Sequence, residues 1–166
     1  VTLTGWGWEL LKGEKATIGA SGGVVSAQPH PNATYTTSSL TIPSGALSSG
    51  IDFVFREART SEKQGIPNAL VVEADGSATF TSAATLEVQF TETEWDNTIA
   101  PSRAGQYEKA SLHKWNSGTS SWEVVSSTAA TDNGDGTWSV TGEINGVSAS
   151  ADDIYAAYDY AITTVP

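Results

Sequence analysis

Leu40-Thr41-Ile42-Pro43-Ser44-Gly45-Ala46-Leu47, followed after Ser48-Ser49-Gly50 by the alternating run Ile51-Asp52-Phe53-Val54-Phe55-Arg56-Glu57, is the stretch that decides the fold. Two β-forming runs flank a turn in which proline sets one φ and glycine frees another. A unit of the same form recurs about seventy residues on, as Leu112-His113-Lys114-Trp115-Asn116-Ser117-Gly118 and then Ser121-Trp122-Glu123-Val124-Val125. Each unit is a strand, a tight turn and another strand.

The same period of two runs through the rest of the chain. Leu86, Val88 and Phe90 alternate with Thr85, Glu87, Gln89 and Thr91, and Trp138, Val140 and Ile144 alternate with Ser139, Thr141 and Glu143. The pattern implies strands with one apolar face. It predicts an inward set of Leu40, Ile42, Phe53, Phe55, Leu86, Val88, Phe90, Leu112, Trp138, Val140, Tyr160 and Ile162, with Tyr158 inward and Asp159 outward. Asp75-Gly76, Asn116-Ser117-Gly118 and Asn133-Gly134-Asp135-Gly136 supply turn chemistry. Residues 59–68 and 92–106 read as longer loops, and one helical turn fits 148–153. The expectation is a single antiparallel β-sandwich over 15–166 with an N-terminal extension over 1–14 that reads as one further strand.

Composition narrows the function. The length of 166 residues fits one domain with a real core. Hydrophobic residues at 39% against charged residues at 16% exclude a disordered chain. A formal net charge of -11 repels phosphates, which disfavours nucleic acid and anionic membrane as partners. No apolar run approaches the roughly twenty residues of a membrane span. There is no Cys, hence no disulfide, thiolate metal site or cysteine nucleophile. There is also no Met, so Val1 is expected to be a processed terminus, most simply after loss of a signal peptide. An extracellular or cell-surface setting follows, and the missing disulfides point to a prokaryotic one.

From about Ala16 to Thr163 the chain resembles the β-sandwich domain shared by netrin receptors, ankyrins, tight-junction proteins and many prokaryotic surface proteins. The resemblance rests on Gly22-Gly23-Val24-Val25, on Leu40 to Leu47, on Ile51 to Glu57, on Phe80-Thr81-Ser82-Ala83-Ala84-Thr85-Leu86-Glu87-Val88, and on Leu112 to Glu123. It implies a sandwich that serves as a structural or adhesive module. Many relatives carry His-Phe-Ser before Tyr-Ala-Ile, and in some the Ser cleaves its own backbone. Here Ala156-Ala157-Tyr158-Asp159 stands in that place, so self-cleavage is not implied.

The residues that could do chemistry are few. Glu92, Glu94 and Asp96 bracket Trp95 but read as a solvated loop. Asp132-Asn133-Gly134-Asp135-Gly136 suits a hairpin turn better than a calcium loop, because Gly134 stands at a ligand position. His30 and His113 lack triad or metal spacing and read as surface histidines. Trp115 and Trp122 flank a turn and should pair across strands or cap the end of the barrel. Asn32-Ala33-Thr34 is a sequon, which makes Asn32 a candidate glycan acceptor. No catalytic residue, metal site or cofactor is expected.

That leaves assembly. Val1 to Leu11 lies outside the sandwich-like region and carries Leu3, Trp6, Trp8, Leu10 and Leu11. A strand must join a sheet edge to satisfy its backbone. If the edge is its own, the sandwich gains one strand. If it belongs to the next copy, strand addition builds a homopolymer. The second alternative is the expected one: a non-catalytic, pilus-like surface filament subunit with those five residues at the interface. A module of a larger cell-surface adhesin, with carbohydrate as ligand, is the alternative.

Overall fold

The computed structural model describes residues 2–3, 10–11, 13–27, 38–149 and 153–160. Its strands are β1 (Thr2–Leu3), β2 (Leu10–Leu11), β3 (Gly13–Ile18), β4 (Gly23–Ala27), β5 (Ser38–Ile42), β6 (Ile51–Glu57), β7 (Leu70–Ala74), β8 (Ala78–Thr91), β9 (Ala110–Asn116), β10 (Ser121–Val124), β11 (Thr131–Asp132), β12 (Thr137–Val147) and β13 (Ile154–Asp159). A six-stranded sheet runs β10-β9-β13-β7-β6-β3, and a five-stranded sheet runs β11-β12-β8-β5-β4. Their pairings are antiparallel. The chain is therefore an all-β sandwich. β1 and β2 form a separate two-stranded ladder.

The alternation in the sequence explains the core. Leu40, Ile42, Leu86, Val88, Phe90 and Val140 on the smaller sheet meet Phe53, Phe55, Val72 and Leu112 on the larger, and all are buried. The rings of Phe53 and Phe80 lie 6.1 Å apart. Each such side chain, once buried, stabilises the fold by about 2 kcal/mol.

The expected faces fail in β13. Asp159 is fully buried and Tyr160 is 40% exposed, the reverse of the period-two expectation. An ion pair turns Asp159 inward: its Oδ2 lies 2.6 Å from Nε of Arg103. Tyr158 is only half-buried. Trp138 is half-buried as well, with Nε1 donating to Glu92 Oε1 at 3.1 Å. Ile162 lies outside the described residues.

The stretch expected to be a loop after β8 contains short helical turns. α1 (Glu92–Glu94) leads into a π-helical turn, Trp95–Ile99, and two 3₁₀ turns, Pro101–Arg103 and Tyr107–Lys109. Thr91 and Glu94 close a capping box at its start. The helical turn expected over 148–153 falls partly outside the described residues, and Ser148, Ala149 and Asp153 are not helical.

The turn at Gly19–Gly22 locks onto the turn at Pro43–Leu47. The Gly22 N–H donates to the Gly19 carbonyl at 3.0 Å, and the Gly45 N–H to the Ala20 carbonyl at 2.8 Å. Gly22 sits at φ 74°, and a Cβ there would lie 2.5 Å from the Ile42 carbonyl oxygen and 2.7 Å from Ser44 N. Only glycine fits both the dihedral and the contact. Gly22→Ala is expected to destabilise the protein by about 3 kcal/mol or more. Gly76→Ala, at φ 80° with nothing within 4 Å of its Cβ, should cost only about 1 kcal/mol. Urea unfolding of the two variants checks the difference.

Candidate functional site

The acidic cluster around Trp95 is built into the fold. Glu94 Oε2 accepts from Thr91 N at 2.9 Å, and Glu94 N donates to Thr91 Oγ1 at 3.0 Å. Asp96 Oδ1 accepts from Gly105 N at 2.9 Å, and its Oδ2 accepts from the Tyr107 hydroxyl at 3.1 Å. Trp95 is fully buried, stacks 5.4 Å from Phe90, and donates Nε1 to the Arg103 carbonyl at 2.9 Å. A loop of solvated carboxylates was the expectation; the three carboxylates instead cap a turn, anchor one and brace Trp138. Each of the three carboxylates accepts at least one local hydrogen bond that holds the fold.

His113 corrects the surface-histidine expectation. It is 0% exposed, within β9. Its Nδ1 lies 2.9 Å from the Ser111 carbonyl, so Nδ1 carries the proton and donates. Tyr158 meets the ring edge-on at 5.5 Å. Ser111, His113 and Asp159 stand close in the fold, yet all three are buried, and the imidazole addresses the Ser111 carbonyl rather than its hydroxyl. That geometry neither activates a serine nor admits a substrate. His30 lies outside the described residues.

The other charged cluster is structural too. Arg56, 4% exposed, reaches Glu62 at 2.9 Å and 3.1 Å, Glu73 at 3.1 Å and the Glu57 carbonyl at 3.1 Å. Burial works against the charged Glu62 carboxylate, but Arg56 and the Arg59 amide hold its carboxyl below the usual range. Among the described residues no group of three or more His, Cys, Asp or Glu could hold a metal ion. Asp132 and Asp135 fold their own turn, accepting from Gly134 N at 2.8 Å and Thr137 N at 3.0 Å.

Trp115 and Trp122 pair across β9 and β10 as expected, with rings 5.5 Å apart and edge-on. An open cleft of about 410 Å³ lies beside them, lined by Lys114, Trp115, Asn116, Glu123 and Asp153 among others. Its polar groups are paired with one another: Lys114 Nζ is 2.8 Å from Asp153, and Asn116 Nδ2 donates to Glu123 at 2.7 Å.

The expected assembly residues are described only in part. Thr2 pairs with Leu11 and Leu3 with Leu10, so Leu3, Leu10 and Leu11 lie on a ladder of two rungs. The described residues thus form two short strands where one was expected. Trp6, Trp8 and the sequon residue Asn32 lie outside the described residues. β3 begins at Gly13 and pairs with β6 of the same chain. No protein-family model and no curated protein matches the chain. No helix among the described residues is long and apolar enough to cross a membrane.

Burial pushes the His113 imidazole below the ordinary histidine range, outweighing the Ser111 carbonyl and Asp159, which pull it up. The unfolded chain carries an ordinary histidine, near pH 6.5. Below that value the unfolded state binds the extra proton first, so stability falls as pH drops through the window down to the lower folded pKa. Losses from Glu62 begin only below its ordinary value of 4.5. Urea midpoints should therefore fall between about pH 6.5 and 5 in the native chain and stay flatter in His113→Gln. An unchanged slope in the variant would assign the titration to another group.

Proposed function

We propose that this chain is a non-catalytic structural subunit of an extracellular or cell-surface, prokaryotic filament, joined to copies of itself by strand addition. The observation that carries the reading is the separate ladder of β1 and β2. Two strands of two residues each make a marginal ribbon in water. The sandwich, by contrast, joins β3 to β13 in two large sheets around an apolar core. Such an extension gains most by adding to a sheet edge, where main-chain hydrogen bonds supply affinity. A head-to-tail contact of that kind does not close, so it propagates.

Two further observations support the reading. The carboxylates of the acidic segment and the buried Ser111, His113 and Asp159 serve the fold, which leaves no exposed nucleophile–base pair among them. The locking of Gly22 against Ile42 to Ser44 gives a physical reason for the paired motifs behind the resemblance to the receptor, ankyrin and tight-junction β-sandwich family. The adhesin alternative rests on the Trp115 cleft, where an aromatic ring meets polar groups as a sugar subsite requires. Saccharide binding that is lost in Trp115→Ala, by a chain that stays monomeric, would favour it.

Deleting Val1–Leu11 should leave a folded, soluble monomer that forms no fibres, judged by circular dichroism and electron microscopy. Unfolding of the shortened chain would assign the extension to its own sandwich. Undiminished assembly would remove it from the interface.

A further inference from the structure

We propose that β4 is the edge that accepts the N-terminal segment of a second copy; the inference rests on the strand-addition reading and names its acceptor. Among the described residues the two large sheets end in four edge strands, β10 and β3 on one and β11 and β4 on the other. Edge strands are protected against pairing by charge, proline or brevity. β3 carries Glu14 and Lys15, with Lys15 Nζ 3.1 Å from Asp52. β10 is four residues long and carries Glu123. β11 is two residues long and carries Asp132. β4 is Gly-Val-Val-Ser-Ala, five residues with no charge and no proline. It also presents Val24, 50% exposed and the most exposed large hydrophobic residue among those described.

Charge identifies the occupant. Copies with a formal charge of -11 repel one another, so contact is least opposed between neutral surfaces. No Asp, Glu, Lys or Arg occurs from Ala16 to Ile51, which covers β4 and its neighbour β5. The sequence of Val1 to Trp8 has no charged side chain either, and Glu9 is the first. The uncharged side chains of Val1 to Trp8 and of the β4 edge are therefore matched in an otherwise acidic molecule. Val24 stands opposite Thr41 and Ser26 opposite Ser39, so the acceptor is an uncharged surface of Val, Ser and Thr that the segment bearing Leu and Trp can cover once the marginal β1–β2 ladder opens.

The test uses the full chain with Val24→Glu, and Val24→Thr as a β-compatible control. Val24→Glu should keep the native unfolding transition while fibre mass falls at least about tenfold, because a charge at the edge must be buried to pair. Val24→Thr should assemble. Val24→Glu keeps its own extension, so mixed in small amounts into the native chain it should occupy open edges and shorten the fibres. If Val24→Glu unfolds, Ser26→Glu replaces it, with the same outcomes read. Normal fibres from a folded Glu variant would overturn β4 as acceptor and leave strand addition standing, provided removal of Val1–Leu11 still abolishes assembly. If that deletion leaves assembly intact, or the native chain forms no fibres, both the reading and the acceptor fall.

Discussion

The ladder between β8 and β12 carries the sandwich. It runs from Thr91 opposite Thr137 to Ala78 opposite Val147, interrupted by a shift between Ile144 and Gly146. At that shift a Cβ on Gly146 would lie 2.6 Å from the Ala78 carbonyl oxygen, so the two backbones meet closely. Both ends of β8 connect to the rest of the molecule. Near its start Thr81 donates from N to the Ala46 carbonyl at 3.0 Å and from Oγ1 to the Gly45 carbonyl at 2.8 Å, latching the Pro43 to Leu47 turn. At its end Thr91 begins the capped turn that delivers Trp95 to Phe90 and Arg103 to Asp159 of the opposite sheet. One strand thus organises its own sheet and ties it to the other.

Charge is distributed according to the same division. Arg56, Glu62 and Glu73 pin the segment after β6, and the acids of 92–96 pin the segment after β8. Removing one partner of a buried ion pair costs about 3–5 kcal/mol, which applies to the buried Arg56 with Glu62. Elsewhere the net negative charge keeps molecules apart. Val1 to Trp8 and the β4 edge carry no charged side chain, which is the basis on which the proposed contact selects one edge of four.

Legibility followed the strength of local periodicity. Leu86, Val88 and Phe90 are unambiguous because they alternate with Thr85, Glu87 and Thr91, which stay at least partly exposed; Gln89 is the one buried polar neighbour. β13 was not, because Ile154 to Ala157 are all buried and no alternation marks a face. Asp159 was misplaced for a related reason: its partner Arg103 lies far away in sequence, and nothing local announces the pair. His113 has the same cause: the Tyr158 ring of β13 lies against it, and a histidine between Leu112 and Lys114 carries no signal of that cover. The capping box was legible in principle, since Thr91-Glu92-Thr93-Glu94 has the Thr-x-x-Glu pattern of a helix start. The strand signal running up to Thr91 masked it.

Cryo-electron microscopy of fibres grown from the purified chain tests the central claim most directly. The expected result is an added strand beside β4 whose side chains are those of Val1–Leu11 from the neighbouring subunit. Fibres in which β4 faces solvent, or in which that segment lies along a sheet of its own subunit, would contradict it.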